Sequence, residues 1–226
     1  MFQESCARNR NAIYGVLGTT KLPDGKVNIN NGTGFAISPG IIVTAAHLVH
    51  RDSSPDNPVH SEFAAIRAPD VGQSFEIATL IAEDPLRDVA LLRITNPRSL
   101  DYLDLESIRV PTGTLCGSLG FPFAFFEETP DKKLKYIGLD RFQGSHISSF
   151  VSEATPSGRS LAFYETDSLM YPGSSGCPVF LTNSKVFGMQ VRSRMETNSN
   201  TTTRAACSLL VPSVDIIAFA RQQNVF

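Results

Sequence analysis

A chain of 226 residues with 42% hydrophobic and 19% charged residues can bury a sizeable core, as one large β domain or two small lobes. A net charge of −2 gives no basic surface for electrostatic capture of nucleic acid, and no apolar run is long enough to span a bilayer. The start, MFQESCARNRN, lacks the basic-then-apolar order of a secretory signal, so a cytoplasmic location is expected, with Cys6, Cys116, Cys177 and Cys207 as reduced thiols.

In chain order, Ala12 to Thr19 is the first candidate strand, followed by the loop LPDGKVNINNG. Thr33 to Ser38, the turn pair Pro39-Gly40 and Ile41 to Thr44 read as a hairpin. Phe63 to Arg67, Phe75 to Ala82 and Val89 to Ile94 continue the pattern. Residues 96 to 111, NPRSLDYLDLESIRVP, are polar and bounded by proline, and divide the chain into lobes 1–108 and 109–226. The second lobe carries candidate strands at Thr114 to Leu119, within 142 to 152, and at Ser160 to Glu165, Cys177 to Leu181, Lys185 to Val191 and Ala205 to Val211. Ser213 caps a C-terminal helix whose Ile216, Ile217 and Phe219 pack on one face. Short strands at even spacing favour a sandwich or barrel over alternating strand–helix units. In FPFAFFEETPDKK, 121 to 133, four phenylalanines fall within six residues. They are read as core, with a patch for a partner or another protomer as the alternative.

Chemistry concentrates in three segments. His47 lies in VTAAHLV, directly after an apolar strand, where small residues allow a tight turn. Asp88 opens the apolar strand in RDVALLRI, and a partly buried acid there needs a hydrogen-bonding partner such as an imidazole. YPGSSGCPVF, 171 to 180, sets Ser174 and Ser175 between Gly173 and Gly176. Glycines there can aim successive N–H groups into one concavity. A serine hydroxyl needs a base to take its proton, and the base needs an acid to fix its tautomer.

Together, TAAH at 44–47, DVALL at 88–92 and GSSGCP at 173–178 resemble the trypsin-like protease superfamily, with gaps of 41 and 87 residues between His47, Asp88 and Ser175. TDSLMYPGSSGCPVF, KVFGMQV and GTGFAISPGIIVTAAHLV are closer still to its HtrA/Deg-type branch. The resemblance runs from about residue 12 to 220 and implies an all-β fold of two six-stranded antiparallel barrels with a C-terminal helix. The first barrel would supply His47 and Asp88, and the second Ser175. It implies a serine endopeptidase acting on protein or peptide substrates through an acyl-enzyme, without metal or cofactor. Ser175 is then the nucleophile, His47 the base, Asp88 its orienter, and the N–H groups of Gly173 and Ser175 the oxyanion hole.

The chain departs from the family in places. Ser174 stands where digestive enzymes carry an aspartate, and Cys177 where HtrA-type enzymes often carry glycine. The chain also stops fifteen residues after Val211, where a peptide-binding PDZ domain usually follows. By family position Leu169, Met170, Gln190, Val191, Arg192 and Ser208 border the primary pocket. Leu169 disfavours cleavage after Lys or Arg, and an aliphatic preference is expected over an acidic one attracted by Arg192. Two other readings compete: a peptide-binding module that does not cut, and a metal hydrolase built on His47 and His50 with Asp52 or His60. The first predicts a missing triad member; the second lacks the glutamate of the metalloprotease motif.

Overall fold

The structure, a computed structural model, describes the chain except residues 71–74, 129–133, 156–157 and 198–202. Its first helix, α1 (Gln3–Arg10), precedes six strands: β1 (Ile13–Lys21), β2 (Val27–Ser38), β3 (Ile41–Thr44), β4 (Glu62–Arg67), β5 (Glu76–Asp84) and β6 (Val89–Ile94). These close into a barrel in the order β1-β2-β3-β6-β5-β4. β7 (Leu115–Gly120) opens a second barrel, and β8 (Phe125–Glu128) and β9 (Leu134–Ile137) form a separate hairpin. β10 (Arg141–Ala154), β11 (Ser160–Thr166), β12 (Pro178–Phe180), β13 (Val186–Thr197) and β14 (Thr203–Pro212) complete the second barrel, in the order β10-β11-β14-β13-β12-β7. Helix α2 (Ser213–Gln222) ends the fold. The expected all-β architecture of two six-stranded barrels and a C-terminal helix holds.

The apolar runs fill the barrels. Phe35, Ile37, Ile42, Leu91 and Leu92 are fully buried in the first, and Tyr164, Phe180 and Phe187 in the second. Each such side chain contributes roughly 1.5–3 kcal/mol by leaving water. Leu119, Phe121, Phe180 and Met189 belong to the same apolar cluster as the first-barrel residues, whereas Tyr164 and Phe187 belong to a second cluster confined to the second barrel.

Three details differ from the sequence reading. NINNG belongs to β2, because pairing continues from Val16↔Gly32 to Lys21↔Val27 and leaves only the turn around Gly25 (φ 85). Ser213 is the first residue of α2 and not its cap. Its hydroxyl donates to the Glu106 carbonyl at 2.5 Å, and Pro212 holds the cap position. The four phenylalanines divide: Phe121 is buried and Phe126 packs on the core, whereas Phe123 and Phe125 are about half exposed. Alternation along β8 separates Phe125 from Phe126, since neighbouring side chains leave opposite faces, whereas Phe121 and Phe123 lie in the turn before it, with Phe123 at φ 63. The tip of that segment lies outside the described residues.

Candidate active site

β3 and β6 pair antiparallel with Thr44 opposite Ala90, so residues just after β3 lie beside residues just before β6. His47 sits in the tight turn Ala46–Val49, and Asp88 immediately precedes β6. Buried Ala45 and Ala46 let the turn lie flat on the barrel. Both Asp88 carboxylate oxygens serve His47. Oδ1 accepts the backbone N–H at 2.8 Å, and Oδ2 lies 2.7 Å from Nδ1. Nδ1 then carries the proton and Nε2 is an acceptor, 2.9 Å from Ser175 Oγ. The two side chains are about one-fifth exposed, enough for substrate to reach the imidazole.

Ser175 comes from the second barrel, on the turn between β11 and β12. Gly173 (φ 90) and Gly176 (φ 84) occupy the left-handed region on either side of the serine pair. Inside the turn the Ser174 N–H donates to the Tyr171 carbonyl and the Cys177 N–H to the Ser174 carbonyl, both at 2.9 Å; Gly176 N–H reaches the Gln190 carbonyl at 2.7 Å. Among the described residues, the N–H groups of Gly173 and Ser175 donate to no protein acceptor. Two unpaired donors two residues apart, one of them on Ser175 itself, are an arrangement that can receive a developing oxyanion.

Thr33, fully buried on β2, fastens this turn to the first barrel. Its N–H donates to the Ser175 carbonyl at 2.8 Å, and its hydroxyl donates to the Gly173 carbonyl at 2.8 Å while accepting the Phe121 N–H at 3.0 Å. Sequence reading did not single it out; its only signal is its place between two glycines in NGTGF. Replacing Thr33 with the isosteric valine orphans the Phe121 N–H and removes the donor to Gly173. Unfolding titration is expected to show a loss of about 1–3 kcal/mol. Turnover should fall further than the unfolded fraction explains, because the turn carrying Ser175 is released.

The expected pocket residues separate into two groups. Gln190, Val191 and Ser208 are buried, and the Gln190 amide nitrogen lies 3.5 Å from the hydroxyls of Ser168 and Ser208. Thr166 and Ser168, which sequence reading missed, join this polar cluster at 2.8 Å from each other. Met170 is half-buried, but Leu169 is 39% exposed. The Gln143 carboxamide, oriented to satisfy both groups, accepts the Leu169 N–H at 3.2 Å and donates to its carbonyl at 3.0 Å, which holds the Leu169 backbone against β10. Arg192 pairs with Glu153 and lies over the Phe163 ring at 4.7 Å, so its charge is already matched. A cavity of about 180 Å3 adjoins His47, walled by Pro85, Leu86, Phe163 and Val191.

His50 does not converge with His47 on a common point. Its Nδ1 lies 2.6 Å from the Asn57 carbonyl and its Nε2 2.7 Å from Glu83 Oε2, which fixes the segment behind His47. His60 is buried, and burial lowers its pKa. No group of three metal-ligating side chains occurs among the described residues.

All four cysteines are free. Burial pushes Cys116 up to about 11 and Cys177 up to about 12. The thiolate is the reactive form, so both should resist a maleimide at pH 8 until denaturant is added. Peptide mapping of the labelled protein checks this; labelling of Cys177 in the folded protein would contradict its burial.

The family model described as trypsin-like peptidase domain matches residues 32–189. A probable periplasmic serine endoprotease DegP-like of Chlamydia pneumoniae is 27% identical over 79% of this chain and 32% of its own length. The mitochondrial serine protease HTRA2 of Bos taurus is 28% identical over 77% of this chain and 34% of its own. The chain therefore spans about a third of these relatives. The active form of the Rv3671c protease from M. tuberculosis has the same fold, with a TM-score of 0.68 at 18% identity over 98% of this chain and 85% of that one. Among the described residues no helix is long and apolar enough to cross a membrane. The names of the two relatives place them in the periplasm and the mitochondrion, and lend the cytoplasmic expectation no support.

Proposed function

The chain belongs to the trypsin-like peptidase domain family, and on that premise we propose that it is a serine endopeptidase working through Ser175, His47 and Asp88. The observation that carries this reading is the continuous hydrogen-bond chain from the Asp88 carboxylate through both His47 ring nitrogens to Ser175 Oγ. As a substrate carbonyl is attacked by Ser175 Oγ, His47 Nε2 takes the hydroxyl proton and Asp88 stabilises the imidazolium. The carbonyl oxygen becomes an oxyanion facing the N–H groups of Gly173 and Ser175, worth about 10²–10³-fold per donor. His47 returns the proton to the leaving amine. Water, deprotonated by the same imidazole, then hydrolyses the acyl-enzyme.

β13 supports an extended substrate. Its ladder with β12 ends at Met189, and beyond Gln190, which bonds to Gly176 and Cys177 of the serine turn, no strand among the described residues pairs with that edge, which leaves it open to a substrate strand. In the cavity beside His47, which Arg87 and Arg192 also line, the apolar wall of Pro85, Leu86, Phe163 and Val191 suits an aliphatic side chain upstream of the scissile bond. With Arg192 paired to Glu153, an acidic preference has no free cation at that position. Partner or protomer contact through 121–133 would use Phe125, 55% exposed.

Intact-mass measurement after treatment with a fluorophosphonate tests the reading. One adduct is expected on the wild type and on Ser174→Ala, and none on Ser175→Ala or His47→Ala. An adduct surviving Ser175→Ala would overturn it.

A further inference from the structure

Behind the serine turn, on the side away from His47, lies a second cavity of about 310 Å3. Its walls are aromatic: Phe123 and Tyr171, with ring centroids 4.8 Å apart, and Phe142. Its lining includes Arg141, whose guanidinium lies 5.6 Å from the Phe123 ring centroid and pairs with no carboxylate among the described residues. The neighbouring acid, Asp140, is already committed to Arg10 at 2.7 Å. The cavity also receives Ser118, which is 6% exposed and whose hydroxyl makes no hydrogen bond among the described residues. Ser174, 4% exposed, accepts the Tyr171 N–H at 3.3 Å, but its own hydroxyl hydrogen has no acceptor there. Two hydroxyls with unused donor capacity thus face one cavity, where a polar atom supplied from outside can meet them.

We propose that this cavity binds a small aromatic carboxylate of the kind presented by a C-terminal tyrosine, and that its occupancy steadies the turn carrying Ser175. The carboxylate pairs with Arg141, the ring packs among Phe123, Phe142 and Tyr171, and the phenolic hydroxyl meets Ser118 and Ser174. Each feature of the ligand answers a feature of the wall: a cation with no carboxylate partner among the described residues, three rings, and two hydroxyls with a donor to spare. Coupling to the turn follows from Phe123. That residue sits at φ 63, a conformation disfavoured for a bulky side chain, and its N–H donates to the Pro172 carbonyl at 2.7 Å. A ligand packed on Phe123 and Tyr171 therefore favours the arrangement that leaves the Gly173 and Ser175 N–H groups free. This second half rests on the proposed serine-protease reading; the binding half does not.

Calorimetry with N-acetyl-tyrosine on the Ser175→Ala chain tests binding without turnover. A dissociation constant of about 1 mM or tighter is expected for a ligand of this size. N-acetyl-tyrosinamide, which lacks the charge, should bind at least about tenfold more weakly, and so should N-acetyl-tyrosine to Ser175→Ala carrying Arg141→Gln. Ser118→Ala should erase the preference over N-acetyl-phenylalanine. Arg141 is exposed, so its replacement leaves the fold intact. Absence of binding, or binding indifferent to Arg141→Gln, overturns the site and assigns any residual affinity to the substrate cleft. In the wild type, N-acetyl-tyrosine should raise the rate of fluorophosphonate labelling several-fold, and not in Arg141→Gln. Labelling unchanged by bound ligand overturns the coupling. A wild type that never labels instead removes the protease reading and leaves the calorimetric result standing.

Discussion

Replacing Asp88 with asparagine is expected to lower kcat by about 10⁴-fold while leaving the fold in place. The loss follows from how the two oxygens are used. One accepts the backbone N–H of His47 and the other faces Nδ1. Asparagine keeps a single oxygen, and the backbone N–H, which has no other partner among the described residues, retains it. The new amide then points an N–H at Nδ1. A donor there forces Nδ1 to be the acceptor and moves the ring proton to Nε2, which turns the face toward Ser175 from base to donor. The backbone should not object: Asp88 sits at φ 60, and asparagine tolerates the left-handed region as well as aspartate does. Steady-state kinetics on a cleavable peptide, with near-ultraviolet circular dichroism as the check on folding, reads both halves. A loss below about a hundredfold in a folded variant would mean that Asp88 does not set the tautomer.

What the sequence made legible was whatever depends on period and on short fixed spacing. Each main strand shows apolar residues at strand spacing, and the runs Ile41 to Val43 of β3 and Val89 to Leu92 of β6 are continuously apolar because both faces are buried there. The juxtaposition of His47 and Asp88 depends on the Thr44↔Ala90 register, which no local pattern encodes; only the resemblance pointed to it. Helix α1 escaped because it docks through polar atoms. Ser5 donates to the Thr182 carbonyl at 2.9 Å, Asn9 to the Ser184 carbonyl at 3.1 Å, and Arg10 to Asp140. A helix held this way shows no apolar stripe to find. The surroundings of Leu169 were illegible for a related reason: position in a motif says where a backbone runs, and the Gln143 carboxamide that holds it comes from 26 residues away. Thr33 was invisible because its partners Phe121, Gly173 and Ser175 come from distant parts of the chain.

The largest structural penalty is expected at Gly176, where alanine should abolish labelling of Ser175 and cost more than about 4 kcal/mol of stability, in the range reserved for severe backbone or core conflicts. Two effects combine. At φ +84 any side chain strains the backbone by about 1–2 kcal/mol, and the added Cβ would lie 1.8 Å from the Thr33 carbonyl oxygen. That oxygen cannot retreat freely, because it accepts the Thr44 hydroxyl at 2.7 Å and belongs to the residue that fastens the serine turn. Relief must come from moving the turn, which separates Ser175 from His47 Nε2. Gly25 separates the two effects. It has nearly the same φ, +85, but a Cβ there meets nothing within 4 Å. Gly25→Ala should therefore cost only the backbone strain and leave labelling at the wild-type rate. Thermal melts of the two variants side by side, with fluorophosphonate labelling below each midpoint, read the difference. Equal melting shifts would show that conformation alone matters at Gly176 and that the contact between the serine turn and Thr33 is soft. A steep loss at Gly176 alone would locate the rigidity of the site in the first barrel, where β2 presents Thr33 to the turn that carries Ser175.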